Sequence, residues 1–258
     1  MMSPMLYTVA HGVIPPLARA VWRPTVEGLH HLPETGPVIV ASNHLSFFDS
    51  VVIPVVVPRK VVFLAKSDYF TGTGVKGTLV RAWFEGLGML PVDRDDTKAA
   101  IASLDTALAV LGKGEAFGIY PEGTRSHDGK LYRGKTGVAR LALESGAPVI
   151  PCAVVGTDVV APAGKVYGSW TRPVVRFGKP LDFSRYAGME NDRYILRSIT
   201  DEIMYEIMRL SGQEYVDLYA SKAKELDKEK ARQAEREKAE REKAAREQAG
   251  DGPEQKAS

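Results

Sequence analysis

Short apolar runs of β type alternate with helix-like segments between Gly36 and Leu181, and this alternation constrains the fold more than any other feature of the chain. Strands that alternate with helices form layered α/β domains, because the helices cross over between parallel strands. The sequence therefore predicts an α/β domain, a single layered unit with a largely parallel or mixed sheet flanked by helices. Six runs are typical of strands: Val38 to Ala41, Val61 to Ala65, Leu87 to Val92, Ala116 to Tyr120, Val149 to Val155 and Val174 to Phe177.

Two segments have the apolar spacing of amphipathic helices. In the first, Thr97 to Leu111, apolar residues recur on one face and Gly112 can close the helix. In the second, Tyr194 to Leu210, isoleucines stand four residues apart and Gly212 follows. The predicted buried faces are Ile101, Leu104, Leu108 and Leu111 in the first helix, and Ile195, Ile199, Ile203 and Ile207 in the second.

The two ends of the chain differ in composition from its middle. Residues 1 to 18 carry no formal charge and many apolar side chains, but their prolines and a glycine argue against a spanning helix, so we expect residues 1–20 to lie on a bilayer interface. Residues 221–258 contain 11 Lys plus Arg and 10 Asp plus Glu, which predicts a solvated helical or disordered tail. The folded domain would then occupy residues 21–220.

Charge and cysteine content exclude several classes of protein. The 34 Lys plus Arg against 32 Asp plus Glu leave a net charge of +2, too small to indicate a nucleic-acid partner. Cys152 is the only cysteine, so the chain can form no internal disulfide and no cysteine-based zinc site, which fits a reducing compartment. We expect no metal and no cofactor.

A histidine and a carboxylate follow the first predicted strand. His44 and Asp49 stand five residues apart in Asn43-His44-Leu45-Ser46-Phe47-Phe48-Asp49. On one α-helix five residues turn through about 500°, which leaves the two side chains about 140° apart. They can meet only if the chain turns before a helix starts, at Ser46 or Asp49.

If they meet, the carboxylate fixes the tautomer of the imidazole, and the other ring nitrogen can take a proton from a hydroxyl. General-base catalysis of this kind is typically worth about 10² to 10⁴ in rate. The spacing leaves a second interpretation open, in which Asp49 caps a helix beside a structural His44.

Arginines follow two further predicted strands. Arg94 ends Leu90-Pro91-Val92-Asp93-Arg94, and Arg125 lies in Tyr120-Pro121-Glu122-Gly123-Thr124-Arg125-Ser126. Parallel strands would bring His44 and both arginines to one sheet edge, where open α/β sheets bind ligands. Since a guanidinium binds phosphate through two hydrogen bonds, these residues predict a pocket for a phosphorylated alcohol.

Three neighbouring residues can contribute to that pocket. Gly123 allows the backbone to approach a ligand closely, and Glu122 can hold an arginine or a substrate hydroxyl. Lys66 directly follows the run Val61 to Ala65 and is a further candidate for binding phosphate. Lys135 is another.

The chain resembles the glycerolipid acyltransferase family, which contains the 1-acylglycerol-3-phosphate acyltransferases. Four blocks carry the resemblance, and they occur in the family's order. The first, residues 43–49, resembles the H-x4-D block. The others are Gly88-Met89-Leu90-Pro91-Val92-Asp93-Arg94, the E-G-T-R block within residues 117–126, and the proline-containing Ala147-Pro148-Val149-Ile150-Pro151-Cys152-Ala153.

The resemblance implies an enzyme that moves an acyl chain from acyl-CoA or acyl carrier protein to the free hydroxyl of a lysophospholipid, without an acyl-enzyme intermediate. It makes His44 the base and Asp49 its orienting partner, and assigns to the acceptor site Arg94, Glu122, Gly123, Thr124 and Arg125. The fourth block is expected to shape the acyl or donor site. The family's membrane association implies a peripheral protein on the cytoplasmic face of a membrane. We expect 1-acyl-glycerol-3-phosphate as acceptor and phosphatidic acid as product; other lysolipids stay open.

Two rival interpretations remain. Gly129 to Thr136 matches the phosphate-loop pattern G-x4-G-K-[ST], but a phosphate loop directly follows a strand and here the preceding strand ends near Tyr120. The other rival is a noncatalytic scaffold that binds a lipid surface. An acyl-serine hydrolase is disfavoured because the chain contains no G-x-S-x-G motif.

Overall fold

The computed structural model of the protein describes residues 19–92, 97–162 and 168–250. The strands are β1 (Thr25–Glu27), β2 (Val38–Ser42), β3 (Val61–Lys66), β4 (Met89–Val92), β5 (Ala116–Ile119), β6 (Leu131–Tyr132), β7 (Val149–Val155), β8 (Val174–Phe177) and β9 (Tyr215–Val216). The α-helices are α1 (Asp49–Val56), α2 (Gly74–Gly86), α3 (Thr97–Leu111), α4 (Gly137–Ser145), α5 (Thr157–Val160), α6 (Arg193–Ser211) and α7 (Ala220–Gly250).

Seven strands form one sheet in the order β1-β8-β7-β2-β5-β3-β4. The β7 and β8 pair is antiparallel and the other neighbouring pairs of this sheet are parallel. The predicted α/β fold with a largely parallel sheet is therefore confirmed, and each of the six predicted runs contains a strand. The third strand starts at Met89 instead of Leu87, because α2 continues to Gly86 and Gly88 makes a left-handed turn at φ 77°.

Helices cover both faces of the sheet. Val38 and Val40 of β2 pack with α1 and α2 on one face, whereas Ile39 and Ala41 pack with α3, α4 and α6 on the other. Successive side chains of a strand point to opposite faces, so a strand that is covered on both sides is a continuous apolar run. This explains why β2 has no polar alternation in its sequence.

The two predicted helices are α3 and α6. Asp192 caps α6 by accepting hydrogen bonds from the amides of Tyr194 and Ile195, and Gly212 ends it at φ 72°. In α3 the predicted buried face is wrong at its start, because Ile101 is 58% exposed. The other three predicted residues do pack on the core: Leu111 is buried, and Leu104 and Leu108 are partly buried. Ala107 and Val110 are also buried and were not predicted. The helix ends at Leu111 and Gly112 follows it directly, as predicted, while the left-handed φ of the turn lies at Gly114.

The charged helix α7 is exposed over residues 227–242, but its first turn is not. Ala220 is fully buried and Ala223 is 7% exposed, and both pack against Tyr132. The predicted division at residue 221 did not anticipate this contact. The predicted interfacial segment falls almost entirely on residues 1–18, which lie outside the described residues. None of the described helices has the length and apolar character needed to cross a membrane.

Candidate active site

His44 and Asp49 meet where β2 ends and α1 begins. His44 Nδ1 lies 2.8 Å from Asp49 Oδ2, and the same oxygen accepts hydrogen bonds from the amides of Leu45 at 2.7 Å and Ser46 at 2.8 Å. A carboxylate only accepts, so Nδ1 carries the hydrogen and Nε2 is the basic nitrogen of the neutral ring. The chain turns through residues 44–48 before α1 starts at Asp49, which is the turn that the spacing required.

Burial strengthens the electrostatic coupling of this pair. Asp49 is fully buried, and its second oxygen, Oδ1, has no hydrogen-bond partner among the described atoms. A buried charge is screened less than an exposed one, so it interacts more strongly with a neighbouring charge. Asp49 can therefore stabilise the imidazolium that His44 would form on accepting a proton.

The ring of Tyr120 stacks on a face of the His44 imidazole. Its ring stacks on His44 with centroids 3.8 Å apart and planes 8° apart, and its hydroxyl lies 2.9 Å from Ser50 Oγ. The ring orientation of His44 is thus set by a carboxylate at its edge and an aromatic ring on its face. Tyr120 lies in the third block, but its sequence position predicts no contact with His44, which depends on the parallel pairing of β2 with β5.

Glu122 is directed towards backbone amides. It is 1% exposed, its Oε1 accepts from the amide of His44 at 3.2 Å, and its Oε2 accepts from the amide of Tyr132 at 2.9 Å. Burial raises the pKa of Glu122 to about 7, against the opposing effect of the two amide hydrogen bonds. In this geometry the carboxyl group positions the backbone of His44.

Asn43 joins the catalytic loop to β7. Its side chain accepts from the Val154 amide at 2.8 Å and donates to the Val154 carbonyl at 3.0 Å and to Gln213 Oε1 at 2.7 Å. Residues 149–153 of the fourth block are buried in β7 and do not line the cavity described below. The part expected of this block in the acyl or donor site stays a prediction. The block has a structural role, because it lies in the strand β7, whose Val154 binds the Asn43 side chain.

Gly123, Thr124 and Arg125 form a loop beside His44, because the Ser126 amide donates to the His44 carbonyl at 2.7 Å. Gly123 has φ 73°, and a Cβ atom there would lie 3.0 Å from Lys135 Cε, so the Lys135 side chain passes directly over the glycine. Arg125 is exposed. The structure thus brings together His44, Asp49, Glu122, Gly123, Thr124 and Arg125.

Two predicted phosphate ligands lie beyond what the structure describes. Arg94 is outside the described residues, and so is the side chain of Lys66, although its backbone ends β3. Their contribution to the acceptor site stays a prediction. Within the described residues, no group of histidine, cysteine and carboxylate side chains could hold a metal ion.

A cavity of about 290 Å³ opens beside the imidazole, between the sheet and helices α3 and α4. His44, Gly123 and Lys135 line it. Most of the remaining lining is apolar and includes Phe63, Leu104, Ala107, Phe117 and Leu141. An apolar cavity with a few polar groups is the usual form of a small-molecule site.

Two side chains near His44 that could form an acyl-enzyme, Cys152 and Ser46, are inaccessible or engaged. Cys152 is fully buried, and burial raises the pKa of its thiol to about 12, so its thiolate is not populated near neutral pH. Ser46 Oγ donates to the Ala161 carbonyl at 2.6 Å instead of to His44. The arrangement suits direct transfer to an external hydroxyl.

The phosphate-loop match at residues 129–136 has the wrong structure. Residues Leu131–Tyr132 within it form β6, which pairs with β9, and the helix α4 begins only at Gly137. No strand leads directly into the segment, since β5 ends at Ile119. The described chain therefore does not form a nucleotide-binding loop here.

Comparison with known proteins decides the family. The model of the family described as Acyltransferase matches residues 23–155, more than half of the chain. The chain belongs to this acyltransferase family. The resemblance based on the four sequence blocks is thereby confirmed.

Several curated relatives of this acyltransferase are similar over the same region. It is 32% identical over 142 residues to the chloroplastic 1-acyl-sn-glycerol-3-phosphate acyltransferase of Arabidopsis thaliana, covering 54% of this chain and 38% of that protein. It is 34% identical over 130 residues to the mouse 1-acyl-sn-glycerol-3-phosphate acyltransferase alpha, covering 50% of this chain and 44% of that protein. The matched region thus spans less than half the length of these relatives.

A solved structure has a similar fold. It is the 1-acyl-sn-glycerophosphate acyltransferase PlsC from Thermotoga maritima, with a TM-score of 0.58 and 23% sequence identity, covering 78% of this chain and 77% of that chain. At this level of identity the likeness concerns the fold alone.

Sequence reasoning missed Gln213 and Lys224 at the site. Gln213 contacts Asn43, and Lys224 Nζ donates to Thr124 Oγ1 at 3.0 Å. Both follow α6, far along the chain from the four blocks. The available signal was weak: Ala220 and Ala223 stand three residues apart and give the charged helix a small apolar start.

Proposed function

We propose that this acyltransferase transfers a fatty acyl group from a thioester donor to the free hydroxyl of 1-acyl-glycerol-3-phosphate and produces phosphatidic acid. The observation that carries the proposal is the buried His44 and Asp49 pair, with Nδ1 hydrogen-bonded at 2.8 Å, at the mouth of an apolar cavity. The names of the similar proteins support the choice of acceptor.

In the proposed reaction His44 is a general base. Nε2 takes the proton of the acceptor hydroxyl as that oxygen attacks the thioester carbonyl, and Asp49 stabilises the imidazolium that forms. The C–S bond then breaks, and the thiol leaves with the proton from His44. A thioester is already activated, so alignment and proton transfer are the main demands on the protein.

The phosphate of the acceptor is proposed to bind at the loop that follows β5. Arg125 is exposed and directly follows Gly123 and Thr124 in this loop, and guanidinium groups bind phosphate through paired charge-assisted hydrogen bonds. Arg94 and Lys66 are proposed as further ligands. Glu122, by contrast, is proposed to hold the backbone of His44 in place, since both of its oxygens accept from buried amides.

The apolar cavity between α3 and α4 is proposed to receive an acyl chain. Its wall includes Leu104, Ala107 and Leu141, and His44 lines the same space. Burial of apolar chain surface stabilises such a complex by about 25 cal/mol per Å² before the costs of association. The acceptor and product are lipids, so we propose that the protein acts at the cytoplasmic face of a membrane, as a peripheral enzyme.

The test is product formation by the purified protein in detergent or liposomes. Lysophosphatidic acid is offered with acyl-CoA and, separately, with acyl carrier protein as donor, and thiol release and phosphatidic acid are measured. Monoacylglycerol, which lacks the phosphate, is the matched control acceptor. We expect phosphatidic acid from at least one donor and little acylation of monoacylglycerol.

Other outcomes would select an alternative. Acylation of another lysolipid in preference to lysophosphatidic acid would keep the acyltransferase chemistry and change the acceptor. Lipid binding without acyl transfer from either donor to any lysolipid would favour a noncatalytic scaffold.

A further inference from the structure

The charged helix α7 holds the loop that carries the proposed phosphate ligands. Lys224 Nζ donates to Thr124 Oγ1 at 3.0 Å and also to the Arg125 carbonyl oxygen. One turn later Asp227 Oδ2 lies 2.6 Å from His127 Nε2. Two side chains on one face of α7, Lys224 and Asp227, therefore contact residues 124–127.

Buried contacts fix the approach of α7 to the loop. Ala220 and Ala223 pack on Tyr132, which is 3% exposed, and the amide of Arg133 donates to the Leu218 carbonyl at 3.0 Å. The short parallel pair of β6 and β9 joins the same two segments. The position of Lys224 is thus determined by packing and backbone pairing, and does not depend on its own hydrogen bonds alone.

The hydrogen bond from Lys224 determines what the Thr124 hydroxyl can do. An ammonium group only donates, so Thr124 Oγ1 accepts from it and the hydroxyl hydrogen is left to donate to another group. Lys224 also donates to the backbone carbonyl of Arg125. The Arg125 guanidinium itself has no hydrogen-bond or ion-pair partner in the part of the chain that the structure describes. The loop therefore offers a hydroxyl donor and one guanidinium, with the Lys224 ammonium from α7 against it, an arrangement suited to a phosphate monoester.

We propose that Lys224 is a positioning residue of the acceptor site, which holds the Thr124 and Arg125 backbone and orients the Thr124 hydroxyl for the phosphate of the lysophospholipid. The inference deepens the proposed function and rests on it. It assigns a role in substrate binding to the first turns of the charged tail.

The test compares Lys224→Met with Lys224→Arg in the full chain. Hydrogen bonds from charged groups contribute more to binding free energy than neutral ones do. We therefore expect the acceptor KM of Lys224→Met to rise about tenfold, with kcat within about twofold of wild type. Lys224→Arg keeps the charge and the donors, so its KM should return to within about threefold of wild type. Lys222→Met is the matched control, because Lys222 lies on the same helix and bonds only to Glu225 among the described residues.

Unchanged acceptor KM in Lys224→Met would overturn the inference while leaving the proposed function intact. A loss in kcat alone, or an equal rise in KM in the Lys222→Met control, would also overturn it. Thermal unfolding of each variant identifies a general loss of folding, which would lower the apparent kcat by reducing the amount of active enzyme and would leave KM unchanged.

A second measurement separates this inference from the proposed function. Hydrogen exchange of the Gly123 and Ser126 amides, which bond to Tyr120 and His44 carbonyls, reports the order of the loop directly. We expect faster exchange in Lys224→Met but not in Lys224→Arg or Lys222→Met. If wild type forms no phosphatidic acid, the proposed function fails, and unchanged exchange in Lys224→Met would then overturn the positioning role as well.

Discussion

Asp49 is the residue on which the orientation of His44 depends. One oxygen of Asp49 accepts from His44 Nδ1 and from two backbone amides, so the carboxylate fixes both the ring and the turn that carries it. Asp49→Asn keeps an acceptor for these donors but removes the charge that stabilises an imidazolium. We expect kcat to fall by about 10² to 10⁴ with a folded protein and a smaller change in KM.

Steady-state phosphatidic acid formation measures this effect, with circular dichroism as the check on folding. Asp105→Asn is the matched control, because Asp105 is an exposed carboxylate on α3. A turnover rate of Asp49→Asn equal to that of wild type would remove Asp49 from the mechanism.

Glu122 predicts a pH dependence of stability. Burial raises its pKa to about 7 in the folded protein, whereas an unfolded glutamate titrates near about 4.3. The folded state therefore holds the proton more tightly, and its stabilisation is complete below about pH 4.3 and is lost as the pH rises to about 7. Relative to Glu122→Gln, wild type should lose about 3 kcal/mol in its free energy of unfolding over that range.

Urea denaturation of both proteins at pH 5 and above pH 7 measures the difference. The Gln variant removes the titration at this position, so the comparison isolates it from other groups. A constant difference between the two proteins across this range would show that the Glu122 carboxyl titrates normally.

At the scale of elements, helix α3 and the sheet enclose the cavity proposed for an acyl chain. Ala107 is 2% exposed and its small side chain forms part of the wall. Ala107→Leu should fill part of the cavity and lower kcat/KM for a palmitoyl donor at least about tenfold more than for an octanoyl donor, as expected when several buried methylene groups lose their place.

Rates with the two donors, at a fixed concentration of acceptor, give the preference directly. Ala109→Leu is the matched control, since Ala109 is exposed on the same helix. An unchanged preference in Ala107→Leu would mean that the acyl chain binds elsewhere.

The sequence predicted those elements whose own pattern specifies them. Residue type and spacing were enough to locate the capped helix α6 and the strands with strong apolar runs, which are β2, β3, β4, β5, β7 and β8. The short strands β1, β6 and β9 could not, because two or three residues give no periodicity and their pairing depends on distant partners.

The candidate site divides in the same way. The sequence predicted that His44 and Asp49 meet only if the chain turns between them before a helix starts. The structure has this turn, and the two side chains are in contact. The stacking of Tyr120 on His44 and the contact of Lys224 with Thr124 depend on tertiary pairing, which spacing along the chain does not encode.

At the scale of the whole molecule, the parallel sheet brings residues from separate segments to one edge. β2 ends at the His44 loop, its neighbour β5 ends at the Glu122 to Arg125 loop, and the C-terminal helix α7 returns to the same loop. Helices on both faces bury the sheet, so this edge is where the carboxyl ends of its parallel strands become accessible to a ligand. We therefore predict that His44, at this edge of the sheet, is the general base of the reaction.

The most direct measurement is kcat for phosphatidic acid formation by His44→Ala, with the exposed His30→Ala as control. We expect kcat to fall by at least about 10² for His44→Ala, because a general base is removed, and to change by no more than about twofold for His30→Ala. Phosphatidic acid formation by His44→Ala at the wild-type rate would show that His44 is not the general base.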